Sequence, residues 1–514
     1  MSSDDVSDKI EELKLRAIDS EKNANCLVDL FPYLSSPEDE VVEASVNALC
    51  EVFVHYVQNY YDSVVPVPPA QCIGAEQVFH GWMHKNYLQL IQELLHLMKT
   101  HHNQDIQLRS LYNLMELVKT EATAHQDTHD KFIVPVNLFS QVVTCLLESN
   151  SNHLTSKFKR FMKYDDIRLY TLKHTSKMMA ARSARDQDYE EFVMRNFELL
   201  QQVKMPTEQE EICKFFCGDP TMQGSETIVS KIPPKKDITR LEVHQHKFSD
   251  AWLAFLRLSI TEAVYKQVLI SLDTKVMPHL TDPRMLIDFL TDSYNLGGIH
   301  SILALNGLFI LINEHNLDYP DFYTKLYTLL KPPVFHVKYL PRFFYLLDIF
   351  LTSTHLPLYL IAAFCKKIAR LLLTAPPRGI LIGMVTVVNL LKRHPNCKVL
   401  IHRAHPPLER IPEVDTDPFD ADCDDPKMCH ALDSCLWELQ TLKSHYCPKV
   451  TKSITELLEP TNFLSKREEE LAPYLELTDK EVFEEMLEMN EKPSNNTPNM
   501  DTLFSYIRTK YNTI

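Results

Sequence analysis

Two stretches of this chain carry residue types that could do chemistry, and the denser one is acidic. Glu413, Asp415, Asp417, Asp420, Asp422, Asp424 and Asp425 fall within thirteen residues that include no Lys or Arg. Such a run repels itself and builds no core, so it belongs in solvent or against a basic partner. Calcium is one chemistry to test. An EF-hand loop counted from Asp420 needs Gly at its sixth position and Glu at its twelfth, where this chain has Asp425 and Ala431. Zinc is another. Cys423, Cys429, His430, Cys435, His445 and Cys447 lie close in sequence, but five residues separate Cys423 from Cys429 and Cys429 from Cys435, and eleven separate Cys435 from Cys447. Structural zinc sites favour about two to four, so these read as core thiols. His80/His84 and His125/His129 each share a helical face without a carboxylate or cysteine at ligand spacing, and read as surface or capping histidines. The phosphate-loop patterns G-x-x-x-x-G-K-S/T and G-x-G-x-x-G are absent, as are H-E-x-x-H and G-x-S-x-G. The expectation is no catalytic residue, no metal and no cofactor.

The second stretch is basic. Lys157, Lys159, Arg160, Lys163, Arg168, Lys173 and Lys177 form a band, continued by Arg182 and Arg185, with Phe158, Phe161, Tyr164 and Tyr170 interleaved. Cations beside aromatics suit phosphate contact and base stacking. The competing reading is a solvated helix face whose aromatics point into the core, and it is preferred for the aromatics. RNA contact by the seven cations stays open.

These side chains must be positioned by helices. Only nine of 514 residues are glycine, against a usual share of ~7%. Hairpins and tight turns depend on glycine, so a chain this poor in it reads as helical. The 30 prolines sit mostly at breaks such as Ser36-Pro37, Asp282-Pro283 and Lys331-Pro332-Pro333. Ser36 to Asp39 opens one helix with a Val41, Ala44, Ala48, Val52, Tyr56 stripe. Asp425-Pro426 is read as the start of another, over 427–446, with Met428, Leu432, Cys435, Leu436, Leu439 and Leu442 on its buried face. Trp437 then points away from that stripe. Either a second layer covers it, such as Phe419 from a folded-back loop, or it anchors a partner. Asp415, Asp417, Phe419, Asp420, Asp422, Asp424 and Trp437 are the partner-binding candidates. Lys392, Arg393, Lys398, Arg403 and Arg410 are the cations that could instead pair with the acids internally.

A weak repeat runs through the N-terminal part. Asp105–Leu111 (DIQLRSL) resembles Asp166–Leu172 (DIRLYTL), and Ser45, Leu49 and Glu51 match Ser110, Leu114 and Glu116 sixty-five positions later. The expected fold class is all-α, a HEAT/armadillo-like helical solenoid of stacked antiparallel helix pairs. The expected divisions are 1–203 (helical repeats), 204–245 (linker or long surface loop), 246–460 (a second helical domain) and 461–514 (an acidic tail with short helices). Net charge is −16, from 53 basic and 69 acidic residues. That argues against a general nucleic-acid coat, which needs clustered cations. Twelve scattered cysteines and the start MSSDDVSDKIEE suggest a reducing compartment. Apolar stretches at 302–312, 343–351, 356–373 and 379–391 raise a multipass-membrane alternative. Each is short of ~20 apolar residues or interrupted by charge, and buried core helices are preferred.

The acidic stretch also carries a resemblance. Asp417-Pro418-Phe419-Asp420, Asp422 and Asp425-Pro426 lead into the pattern A-L-x-S-x-L-W-E-L-x-x-L-x-x-H-Y-x-P, with HPNC at 394–397, LIHR at 400–403 and YLPRFFYLLDIFL at 339–351. Together these resemble the nucleolar complex protein 4 homologs, a branch of the CCAAT-binding-factor family of ribosome assembly proteins, best over roughly 245 to 460. The resemblance implies a nuclear, nucleolar, non-catalytic assembly factor for the small (40S) ribosomal subunit and pre-rRNA processing. It implies nucleolar protein 14 and other small-subunit processome proteins as partners, with pre-ribosomal RNA as a further contact. The alternatives are an RNA-binding module of the pre-ribosome and a multipass nuclear membrane protein. No zinc finger, homeodomain or basic zipper is visible, so no DNA reading is expected.

Overall fold

Apolar residues recurring every three to four positions fold this glycine-poor chain into helices, and no strand occurs among the described residues. The structure is a computed structural model and describes residues 3–65, 75–129, 132–149, 151–186, 188–218, 220, 237–315, 321–353, 355–401, 417–459 and 467–491. The chain divides into two units, Met1–Met285 and Leu286–Ile514. The first holds α1 (Ser3–Asp19), α2 (Asp39–Asn59), α3 (Tyr61–Val64), α4 (Ala75–Thr100), α5 (Gln104–His129), α6 (Val136–Glu148), α7 (Asn152–Phe158), α8 (Asp165–Ala181), α9 (Tyr189–Gln202), α10 (Leu241–Leu256) and α11 (Glu262–Ser271). The second holds α12 (Ile287–Asn295), α13 (Gly298–His315), α14 (Phe322–Leu329), α15 (Leu340–Phe350), α16 (Leu358–Leu372), α17 (Pro377–Arg393), α18 (Trp437–Leu442), α19 (Pro448–Leu457), α20 (Ala472–Glu476) and α21 (Asp479–Glu491).

Successive helices stack in the first unit: α1 on α2, α2 on α5, α4 on α5 and α6, and α8 on α10. The sequence repeat has a geometric counterpart here. Glu43 of α2 accepts from Arg109 of α5 at 2.6 Å, and Asn47 accepts from Asn113 at 3.2 Å. Both pairs are 66 residues apart, so positions equivalent in the repeat lie nearly side by side on neighbouring helices. The second match holds locally as well. Ser110 donates to the Ile106 carbonyl and Thr171 to the Ile167 carbonyl, at 2.9 and 2.7 Å. The fold is an all-α helical solenoid, as the periodicity implies.

Residues 204–218, within the stretch expected to be a linker or long surface loop, are irregular and mostly exposed. They pack on the first unit and leave Cys217 fully buried. Asp165 and Asp166, at the start of α8, hold them there. Asp165 accepts from the Lys214 backbone N–H at 2.9 Å, and Asp166 accepts from those of Phe216 and Cys217 at 3.0 and 2.8 Å. Two buried carboxylates thus satisfy a strap that has no regular partner of its own. The compact division falls after Met285 and leaves α10 and α11 in the first unit. Residues 221–236 and the short helix expected at 503–511 lie outside the described residues.

In the second unit α16 and α17 pack closely. A Cβ on Gly383 would lie 2.6 Å from Leu372 Cδ2, so glycine permits that approach. No described helix is long and apolar enough to cross a membrane, which leaves the multipass alternative without support. The apolar stretches are core: Ile361, Phe364, Ile368, Leu381, Val385 and Val388 are all fully buried.

Glu121 of α5 is only 5% exposed, and the Tyr87 hydroxyl donates to it at 2.5 Å. Burial pushes its carboxyl up to about 7, against the pull of that hydrogen bond. The folded carboxyl therefore keeps its proton in a window, from the ordinary 4.5 to about 7, where the unfolded one has lost it. Stability falls as pH rises through that window and levels off above it. Glu121→Gln keeps the hydrogen bond and cannot ionise. In urea unfolding it is expected to gain about 2–3 kcal/mol on the wild type between pH 5 and 8; parallel pH profiles of the two proteins would refute the assignment.

Candidate partner-docking site

The acidic stretch is organised by a cation inside α16. Lys366 is fully buried. An ammonium taken out of water needs a partner for each of its three N–H donors. It donates to Asp417 Oδ2 at 2.8 Å, to Glu438 Oε1 at 2.6 Å and to the Cys435 carbonyl at 2.7 Å. One turn further along α16, Arg370 donates to Asp417 Oδ2 at 2.5 Å, and its Nε lies 3.2 Å from Glu438 Oε1. Two cations face two carboxylates, so the buried cluster is neutral in sum.

Asp417 is the hub. Besides the two cations it accepts from Trp437 Nε1 at 2.8 Å, the Ser434 hydroxyl at 2.5 Å and the Phe419 backbone N–H at 3.2 Å. Burial opposes ionisation, but the hydrogen bonds from Lys366, Ser434 and Trp437 outweigh it and hold this carboxyl well below the usual range. Glu438 behaves oppositely. Its burial dominates the help from Lys366, so its carboxyl is raised. The aromatic rings complete the cluster. Lys366 lies 5.4 Å from the Trp437 ring centre and 5.8 Å from that of Phe419, and Arg370 lies 4.8 Å from Trp437.

The candidates therefore separate. Asp417 is internal and Phe419 is only 6% exposed, so neither is a free anchor. Asp420, Asp422 and Asp424 are exposed. Trp437 is 38% exposed, with its indole nitrogen committed to Asp417. Asp415, Arg403 and Arg410 lie outside the described residues. Two of the upstream cations pair elsewhere than the acidic loop: Lys392 with Glu469 at 2.8 Å, and Arg393 with Asp348 and Glu468 at 3.0 and 2.6 Å.

The long helix expected over 427–446 is also corrected. Asp425 Oδ1 accepts from the Lys427 N–H, and the Asp425 carbonyl from Met428. These bonds close a turn rather than cap a helix. His430 then adopts a left-handed φ of 56°, which stops propagation. Beyond it the chain forms a single 3-10 turn at Ala431–Asp433 and the short α18. Leu436, Leu439 and Leu442 are buried as expected, whereas Cys435 is exposed and Met428 is 60% exposed. The Asp420 N–H donates to the Cys429 carbonyl at 3.1 Å and closes the exposed acids into a loop.

The basic band separates similarly. Lys157, Lys159, Arg160, Lys163, Lys173 and Lys177 are exposed. Arg168 is a correction: it is 5% exposed and donates to Asp165 at 2.5 Å. Phe158 and Phe161 are buried, as the core reading expects. Arg160 stacks over Tyr112 at 4.6 Å. Lys159 shares a groove of about 600 Å³ with Lys204 and Lys275, with Glu198 on its wall.

The histidine pairs anchor α3. His84 Nδ1 meets the Val64 carbonyl at 2.7 Å, His80 meets Ser63 at 3.1 Å, and His125 and His129 lie against the Tyr61 ring. Among the described residues the group at ligand spacing is Asp39, His101 and His102, which the sequence pattern does not single out. His101 Nδ1 accepts the Asn103 N–H at 3.1 Å, and Asn103 donates to Asp39 at 2.7 Å. Asn103 thus ties Asp39 to the His101 turn, and His101 Nε2 stands 3.8 Å from Asp39 Oδ1.

Replacing Lys366 by Met leaves Arg370 alone to face both Asp417 and Glu438, so the buried cluster carries a net negative charge. The expected cost is about 3–5 kcal/mol, read as a lower urea midpoint. Adding Glu438→Leu is expected to recover at least about half of it; equal midpoints for Lys366→Met and wild type would count against the cluster as a structural pin.

Comparison with known proteins bears on both units. The family model described as "Nucleolar complex protein 4-like, TPR repeats" matches residues 1–185, and that of the CBF/Mak21 family matches 301–454. The nucleolar complex protein 4 homolog of Mus musculus is 37% identical over 478 residues, 91% of this chain and 89% of the relative. The Homo sapiens homolog is 37% identical over 477 residues (90% and 89%), and that of Danio rerio is 36% identical over 487 (92% and 89%).

Proposed function

The chain belongs to the nucleolar complex protein 4 family, and from that premise we propose that it is a non-catalytic assembly factor of the nucleolus, acting in small ribosomal subunit biogenesis and pre-rRNA processing. It works by stoichiometry. A helical surface holds a partner chain, nucleolar protein 14 by family analogy, in the early precursor particle. The observation that carries this reading is the loop closed between Asp420 and Cys429. It presents Asp420, Asp422 and Asp424 to solvent from a rigid base, beside the half-exposed ring of Trp437. Preformed charge lowers the ordering cost of docking and speeds encounter with a basic segment.

Co-purification of tagged nucleolar protein 14 with the full chain tests it. Joint replacement of Asp420, Asp422 and Asp424 by Asn is expected to weaken capture on the order of tenfold at low salt, mainly through the association rate. Unchanged capture removes the loop from the interface.

The exposed cations favour a second reading, direct contact with pre-ribosomal RNA. Lys157, Arg160, Lys163, Lys173 and Lys177 stand out in a chain of net charge −16, and Lys159 opens onto the groove it shares with Lys204 and Lys275. Replacing Lys157, Arg160 and Lys173 by Gln is expected to lower RNA affinity and to flatten its log–log salt dependence by roughly 0.7–0.9 for each phosphate no longer neutralised. An unaltered slope excludes these three side chains from the interface.

A further inference from the structure

In the first unit α3, α4, α5 and the segment 133–141 enclose a groove of about 640 Å³. Its walls are mostly apolar: Val65, Leu88, Ile91, Val134, Pro135 and Leu138. Glu121 lines it and is 5% exposed. One carboxylate oxygen accepts the Tyr87 hydroxyl. The other takes no hydrogen bond among the described residues, and Glu121 forms no ion pair among them. Glu121 is largely buried yet lines the groove, and a cation is the ordinary partner of a carboxylate so placed. Burial pushes the group up to about 7, and a positive charge beside it would favour its ionised form.

The chemistry of the lining selects among ligands. A purely apolar guest would leave the carboxylate unpaired. A metal ion would find no set of three ligand groups here, since among the described residues the set with such spacing is Asp39, His101 and His102. An anion would meet the acid directly. A cation on an apolar stem satisfies both parts: the stem lies along the aliphatic wall and the charged head reaches Glu121. Tyr61 and Tyr87 flank the carboxylate, and aromatic rings suit a planar guanidinium better than an ammonium.

We propose that this groove is a binding site for an arginine side chain carried by an extended basic segment of a partner protein, with Glu121 pairing the guanidinium and Tyr61 and Tyr87 bordering it. The inference rests on the scaffold reading and names a second contact, separate from the 420–429 loop.

The test uses the full chain and a fluorescent (Arg-Gly)5 peptide, with a citrulline-for-arginine peptide of equal length. Saturable binding of the arginine peptide is expected. Glu121→Gln is expected to weaken it at least about tenfold. The citrulline peptide should lose a similar factor on the wild type and little more on the variant. With 420, 422 and 424 replaced by Asn, Glu121→Gln should still cost the same factor. The proposal is overturned if the peptide does not bind, if Glu121→Gln binds as tightly as wild type, or if the triple replacement alone abolishes binding. The two readings fail separately: a chain that captures nucleolar protein 14 but not the peptide loses the groove, and one that binds the peptide but not nucleolar protein 14 loses the partner assignment.

Discussion

A lysine buried in the second unit sets what the acidic stretch can do. Lys366 has no water to turn to, so its three donors must be met by protein. Asp417, Glu438 and the Cys435 carbonyl meet them. Two of these groups flank a stretch that would otherwise have little reason to fold back. The ammonium therefore ties both the start of the acidic loop and α18 to α16. Replacing such a cluster by apolar side chains often costs nothing or even stabilises a protein. Its value here is positional: a polar cluster of fixed geometry accepts one register of the loop and rejects its neighbours.

The same device recurs in the first unit with the charges reversed. Asp165 and Asp166 are buried at the start of α8 and collect the backbone N–H groups of Lys214, Phe216 and Cys217. An irregular segment that crosses a helical stack has no ladder to satisfy its amides. Carboxylates at a helix start can do so. Burial still keeps the Asp166 carboxyl raised, against three backbone donors, which measures how dry that position is.

These clusters also explain what was legible in the sequence. Periodicity revealed the helices, because a buried stripe needs only apolar side chains at the right spacing. The repeat was legible too, since Ser45 and Ser110, like Ser110 and Thr171, occupy equivalent turns of stacked or like helices. The anchoring of the loop at 204–218 was not. Residues 204–218 have the composition of a loop, and a pair of aspartates some fifty positions away makes them part of a unit. The helix expected over 427–446 failed for a related reason. Its leucines do face inward, but Asp425 turns the chain on itself and His430 breaks it, and local side-chain bonding of this kind competes with helix without changing the apolar pattern. In the sequence the charges within 356–373, Lys366 and Arg370 among them, count only as interruptions of a membrane span. Their spacing of four in a helix whose only other charge is Lys367 was the available signal, because charges on a buried face oblige acids elsewhere to come to them.

Seven neighbouring carboxylates looked alike in sequence, yet the structure gives those it describes different roles. Asp417 takes five contacts and is held ionised by them. Asp420, Asp422 and Asp424 stay in solvent. Like charges in a free chain move apart. Here the backbone bond from Asp420 to Cys429 and the turn at Asp425 hold them together. The same geometry keeps part of Lys367's field near Asp424, while the Tyr327 ring takes the Lys367 ammonium at 3.9 Å. Anchoring one acid thus makes the other three a surface of defined shape. An acidic run without that anchor would carry the same charge but would have to be ordered by whatever it bound, at a cost in affinity.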